Sequence, residues 1–191
     1  MAAVVEKIGA VKLKPRRLPP YQSLVRSIIY QQLSGKAAGT IFDRFKGLFD
    51  GHEFPPAELL MRTEIDVLRA AGLSRAKAAY VKEVAAKSLL GEIPTLEECD
   101  SLPDEEILER LTTIKGVGRW TVQMLLIFNL GKPDVLPVHD LGVRRGFQVA
   151  YRKRKLPDPL HLEKIGKRWS PHRTTASLLL WRMADFGKED E

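Results

Sequence analysis

The chain is written almost entirely in one period. In YQSLVRSIIYQQL, Leu24, Val25, Ile28, Ile29 and Leu33 recur at three- and four-residue spacings, which predicts a helix with one buried face. Ser34 and Gly35 interrupt it, and KAAGTIFDRFKGLF resumes helical spacing. TEIDVLRAAGLSRAKAAYVKEVAAKSLLGE predicts a short helix, a break at Gly72, and a long helix that Ser74 is suited to cap. LPDEEILERLTTI follows, with acidic residues in the first turn, where the helix dipole favours negative charge. RWTVQMLLIFNL, DLGVRRGFQVAY, PLHLEKIGKRW and RTTASLLLWRMADF complete the series.

No run alternates apolar and polar residues as a half-buried strand would. Only the first dozen residues are compatible with extended chain, and their packing is left open. The pattern predicts an all-α protein of two helical lobes, one at about 20–95 and the other at about 100–187, with a helical hairpin at 106–130. The division is placed in GEIPTLEECDSLPDEE, where Pro94 and Pro103 break the helical spacing.

Composition narrows the chemistry. The 191 residues are 44% hydrophobic and 29% charged, values of an ordinary globular chain long enough to bury a core. The formal net charge of +7 favours a polyanionic partner without identifying one. A single cysteine, Cys99, excludes a disulfide framework, a thiolate zinc site and a cysteine-ligated iron–sulfur cluster within one chain. His139 and His172 have no second metal-type ligand at useful spacing, so no catalytic metal is expected. With no signal-peptide core and no apolar run that could cross a bilayer, an intracellular protein is expected, cytoplasmic or nuclear according to its cell type.

The segment IKGVGRWTVQMLLIF carries the first candidate site. Lys115, Gly116, Val117 and Gly118 form a tight link between two helices, where glycine accepts positive φ and close backbone approach. Unpartnered N–H groups at the start of the next helix, together with its dipole, suit a phosphate. On these glycines alone, a plain turn between helices explains the pattern as well. Asp140, 22 residues after Gly118, also has two readings. It is a favoured N-cap for LGVRRGFQVAY, and a carboxylate able to stabilise developing positive charge or orient a water.

The combination is more specific than its parts. Leu111, Ile114, Gly116, Val117, Gly118 and Thr121, followed by Asp140, resemble the helix-hairpin-helix DNA glycosylase superfamily. SIIYQQLSGKAAGTIFDRF, LRAAGLSRAKAAYVKEVA and RWSPHRTTASLLLWRMAD resemble its 3-methyladenine DNA glycosylase II branch, the AlkA type, over roughly residues 21–186. The resemblance implies two lobes with the active site in the cleft between them. It implies a glycosylase that flips alkylated purines out of double-stranded DNA and leaves an abasic site in base excision repair.

What the resemblance implies can be placed residue by residue. Asp140 is the catalytic carboxylate. Lys115, Gly116, Val117, Gly118 and Thr121 contact the DNA backbone. Trp120 stands where strand-cutting relatives carry a Schiff-base lysine, which implies a monofunctional enzyme without lyase activity. Trp120, Met124 and Trp181 line the base pocket, with Phe128 left to the core. An indole face attracts a cationic purine by about 0.5–2 kcal/mol. Gln31, Gln32, Leu33 and Ser34 form the turn that fills the gap in the DNA, with Gln32 the best match to the inserted residue. Arg144 and Arg145 open a basic stretch, continued by Arg152, Lys153, Arg154 and Lys155, that is read as a DNA-backbone surface beside the hairpin; the other readings are a solvated helix face or, for RKRK, a localisation signal. The carbonyls of Thr112, Ile114 and Val117 match a structural Na⁺ or K⁺ site, with no other cofactor required. A monomer is expected. The alternatives are a same-fold glycosylase for a deaminated or oxidised base, and a non-catalytic DNA-binding module that uses only the hairpin.

Overall fold

The computed structural model describes residues 1–189, the side chains of Ala3 and 187–189 excepted, and every regular element among them is helical. In chain order these are α1 (Ala2–Ile8), α2 (Pro20–Tyr30), α3 (Gly35–Lys46), α4 (Ala57–Arg62), α5 (Ile65–Ala70) and α6 (Arg75–Leu89). They continue with α7 (Leu96–Ser101), α8 (Asp104–Thr112), α9 (Arg119–Met124), α10 (Leu141–Ala150), α11 (Pro159–Gly166) and α12 (Arg173–Glu189). A π-helical stretch, Leu125–Leu130, extends α9, and one 3₁₀ turn, Lys167–Trp169, precedes α12.

The chain forms two compact units. One is Arg16–Leu125; the other joins Met1–Pro15 to the chain from Leu126 onward. The limit between the two units lies within the π-helical stretch. Thr95 caps α7 through a reciprocal capping box with Glu98.

In the Arg16–Leu125 unit, α2 packs on α6, α3 and α9, and α6 also carries α4 and α5. Leu24, Val25, Ile28 and Ile29 of α2 are fully buried, as their spacing requires. Leu33, expected on that same face, is 40% exposed because α2 stops at Tyr30. The aromatic rings of Phe42, Phe45, Phe49 and Phe54 pack together, with centroids 5.4–6.3 Å apart.

In the other unit the main contact is α10 against α12. It is close because Gly146 faces the backbone of α12: a Cβ at that position would lie 1.7 Å from the Leu180 carbonyl oxygen. Leu136, Val143, Phe147, Leu162 and Leu180 form the core around this crossing. The first residues are helical, not extended; Val4 of α1 packs against Leu179 and Met183 of α12.

Candidate functional site

The hairpin lies in the Arg16–Leu125 unit, between α8 and α9. Its side chains alternate in role. Ile114 and Val117 are buried and anchor the turn, while Lys115, Gly118 and Arg119 are exposed. Val117 N–H donates to the Ile114 carbonyl at 3.0 Å and closes the link.

The two glycines have different causes. Gly116 has φ +90°, and a Cβ there would fall 2.3 Å from the ring of Tyr80 on α6. Backbone conformation and packing both demand glycine. Gly118 has φ −91° and open space where a side chain would go. Nothing within the fold requires glycine there. Gly118 supplies no side-chain cap to α9, and the first N–H groups of a helix have no partner within the helix itself.

The Gln31 turn is fastened to this hairpin. Gln31 Nε2 donates to the Gly116 carbonyl and to Thr121 Oγ1, both at 3.1 Å. The ammonium of Lys77 on α6 donates to the carbonyls of Ile29 and Gln31 at 2.8 and 2.7 Å, closing the open end of α2. Burial pushes the Lys77 ammonium below its usual value. The geometry gives three of these residues a part in the fold itself. Gln31 is a half-buried tie, Ser34 caps α3 by accepting from Ala37 N–H, and the Thr121 hydroxyl is turned inward. Gln32 is left exposed at the apex with φ +57°, an uncommon backbone state for a residue with a side chain. Leu33 is exposed beside it. On α9, Trp120 is 40% exposed and Met124 half-buried.

The carboxylate lies in the other unit. Asp140 is the N-cap of α10, and its Oδ1 accepts from Val143 N–H at 2.8 Å. The same oxygen accepts from Trp181 Nε1–H of α12, also at 2.8 Å. The cap and the candidate catalytic group are therefore one side chain, so the two readings of Asp140 do not compete.

The segment leading to Asp140 is held at its other end by the first turn of α12. Asp134 receives Arg173 Nε and Nη2 at 2.7 and 2.9 Å, with Arg173 N–H and the Ser170 hydroxyl on the same carboxylate. The Arg173 guanidinium, aided by Ser170, holds the Asp134 carboxyl down at about 2. Thr174 Oγ1 donates to the Lys132 carbonyl and accepts from Val135 N–H. One helix thus fixes both ends of the 132–140 segment.

Trp181 is a wall of two recesses. One, about 490 Å³, is lined by Val11, Leu13, Phe128, Leu178 and Trp181, with Lys12, Arg182 and Asp185 as its charged groups. The other, about 330 Å³, is bounded by Leu141, Gly142, Arg145, Trp181, Ala184 and Asp185. Phe128 is thus not simply core: it is half-buried, with its ring 5.5 Å from that of Trp181. Arg145 is exposed, whereas Arg144 Nε donates to the Pro157 carbonyl at 2.9 Å and supports the following loop. Gly142, Lys77 and Tyr80 were not singled out by the sequence. Their roles depend on partners dozens of residues away, although Gly142 does form a visible G-x-x-x-G spacing with Gly146 on α10.

Among the described residues, no three His, Cys, Asp or Glu side chains are grouped to hold a metal ion, and no helix is long and apolar enough to cross a membrane.

Comparison with known proteins places this geometry. Residues 25–172 match the HhH-GPD superfamily of base excision DNA repair proteins. DNA-3-methyladenine glycosylase 1 of Schizosaccharomyces pombe is 42% identical over 172 residues, 88% of this chain and 75% of the relative. The solved 3-methyladenine DNA glycosylase Mag1 of S. pombe, in complex with abasic DNA, matches with a TM-score of 0.86 at 39% identity, covering 95% of this chain and 89% of that one. A DNA-3-methyladenine glycosidase from Bacillus halodurans matches with a TM-score of 0.87 at 37% identity, over 99% and 86% of the two chains. With a glycine hairpin, a capping aspartate in the helix that follows, and a family match spanning most of its length, the chain belongs to the HhH-GPD superfamily of base excision DNA repair proteins.

Proposed function

We propose that the protein is a monofunctional DNA glycosylase that extrudes alkylated purines from double-stranded DNA and hydrolyses the N-glycosidic bond. Asp140 carries the reading: a carboxylate held by Val143 N–H and Trp181 Nε1–H has the fixed orientation that electrostatic catalysis needs. For 7-methylguanine, the bond between C1′ and N9 breaks, its electrons go to the cationic base, and the base leaves neutral. Positive charge then develops on the sugar, where Asp140 stabilises it. Water adds to C1′ and its proton passes to Asp140 or to solvent. No general acid is needed for a leaving group that is already cationic. Trp120 occupies the position of the lyase lysine, so the product is an intact strand with an abasic site.

The open face at Gly118 and the first-turn N–H groups of α9 receive a phosphate of the DNA backbone. Gln32, exposed at its left-handed apex, enters the gap left by the flipped base, and Arg145 adds a phosphate contact. Trp181 supplies an aromatic wall for the base. The carbonyls of Thr112, Ile114 and Val117 are the neutral oxygen donors that would hold a structural Na⁺ or K⁺. The Ile114 oxygen accepts Val117 N–H and keeps a second lone pair, which is compatible with such an ion. The enzyme works as a monomer inside the cell, where its DNA is.

The test uses duplexes carrying 7-methylguanine, 1,N6-ethenoadenine or hypoxanthine, with abasic sites revealed by alkali. The wild type releases the alkylated base without cutting the strand, and Asp140→Asn is slower by about 10²–10⁴-fold. Equal rates overturn the mechanism. Strand scission without alkali overturns the monofunctional assignment.

A further inference from the structure

The bond between Trp181 and Asp140 does more than a pocket wall requires. An aspartate that caps a helix is held through one oxygen, and its terminal torsion otherwise lies in a broad well. Here two N–H donors from different helices meet at Oδ1, one from α10 itself and one from α12, 41 residues away in sequence. A second donor aimed from another direction fixes the plane of the carboxylate.

Gly142 shows that the fold makes room for this bond. It lies within α10, and its backbone is not in the left-handed region that favours glycine. An added Cβ would lie 2.7 Å from Trp181 Cδ1, 3.0 Å from Nε1 and 3.1 Å from Asp140 Oδ1. The three nearest atoms to such a Cβ are the two partners of the bond. Phe128 backs the indole, with centroids 5.5 Å apart and planes tilted by 31°. A stacking wall alone would call for neither this clearance nor the indole nitrogen.

We propose that Trp181 is a positioning residue for Asp140, its indole N–H fixing the rotation of the carboxylate while Gly142 provides the clearance and Phe128 the backing. The inference rests on the glycosylase reading of Asp140 and deepens it. A reacting group held in one orientation gains rate through pre-organisation, and small displacements are costly.

Two variants separate this role from stacking. Trp181→Phe keeps an aromatic face and deletes the donor. Gly142→Ala keeps both partners and forces them apart. Single-turnover release of 7-methylguanine falls by about 10–100-fold in each, while affinity for a duplex carrying a tetrahydrofuran abasic analogue stays within about 3-fold of wild type. Thermal melting confirms that each variant is folded.

A readout independent of activity is the indole N–H resonance of Trp181 in a ¹H–¹⁵N spectrum. The chain has three tryptophans, and Trp181→Phe identifies the signal by its loss. In Asp140→Ala that resonance moves upfield as its carboxylate acceptor disappears. If Trp181→Phe releases base at the wild-type rate while Asp140→Asn does not, the positioning role is overturned and the glycosylase reading stands. An indole resonance that ignores Asp140→Ala also overturns the positioning role. Wild-type activity in Asp140→Asn overturns both.

Discussion

The Gln31 turn and the Asp140 cap solve the same problem with different chemistry. Each brings a side chain at a helix end to a partner far along the sequence. At Gln31 the tie is a neutral amide donating to a carbonyl and a hydroxyl, with the Lys77 ammonium covering the carbonyls behind it. At Asp140 the tie is a carboxylate accepting two N–H groups. A neutral tie leaves the neighbouring residue, Gln32, to project outward. The carboxylate tie is itself the group proposed to react. Rigidity at the first site serves a neighbour; at the second it serves the residue being held.

The glycines extend the contrast, and they give the largest expected effect. Gly146→Ala places a Cβ 1.7 Å from the Leu180 carbonyl oxygen, a backbone atom that no rotamer change can move. Helices α10 and α12 must separate, and the expected loss is about 3 kcal/mol or more, read by chemical denaturation. Gly116→Ala meets positive φ and the Tyr80 ring together and is expected to cost about 2–4 kcal/mol. Gly118→Ala meets nothing and should leave stability within about 0.5 kcal/mol. Its effect should appear in affinity for undamaged duplex DNA. A Gly118 variant as unstable as the Gly116 variant would erase the distinction between a glycine for folding and one for a ligand.

The smallest effect concerns acid. Asp134 is held down at about 2 by the Arg173 guanidinium, against an ordinary value of 3.8. A carboxyl whose folded value is depressed contributes stability that is full above the ordinary value and is lost as pH falls through the folded one. Wild type should therefore lose this contribution between about pH 4 and pH 2, and Asp134→Asn should show a flatter melting profile across that window. The same slope in both would show that Asp134 does not tie the segment to α12. The pair is partly exposed, so the effect is modest.

Much of this fold is legible as period. Helices α2, α3, α6, α8, α10 and α12 each repeat apolar residues often enough to be read from spacing alone. The short elements were harder. Helix α7 carries its capping box in plain view as TLEE, yet Pro94 and Pro103 at its flanks read as a break. Helix α4 follows Pro55 and Pro56 and spans only six residues. Helix α1 is one residue longer than α4, and it is recognisable chiefly by its contact with α12.

The candidate site divides in the same way. Asp140 could be named as a helix cap from its neighbours, and as a catalytic candidate through the family resemblance of the segment that carries it. The indole on its Oδ1 comes from 41 residues away, and the amide on the Gly116 carbonyl from 85. No periodicity encodes which side chain bridges such distances. The glycine at 142 was visible, but its reason was not, because the reason is the ring that passes beside it.

The splint that α12 applies to residues 132–140 has a consequence for local unfolding. A loop tethered at one end can fray from the other, and its tip is then among the first parts of a protein to open. Here the Asp134 end is bonded to the first turn of α12 and the Asp140 end to Trp181 two turns later. Neither end offers a place for opening to begin. The carboxylate is released only when the helix itself departs, so its local stability approaches that of the surrounding unit.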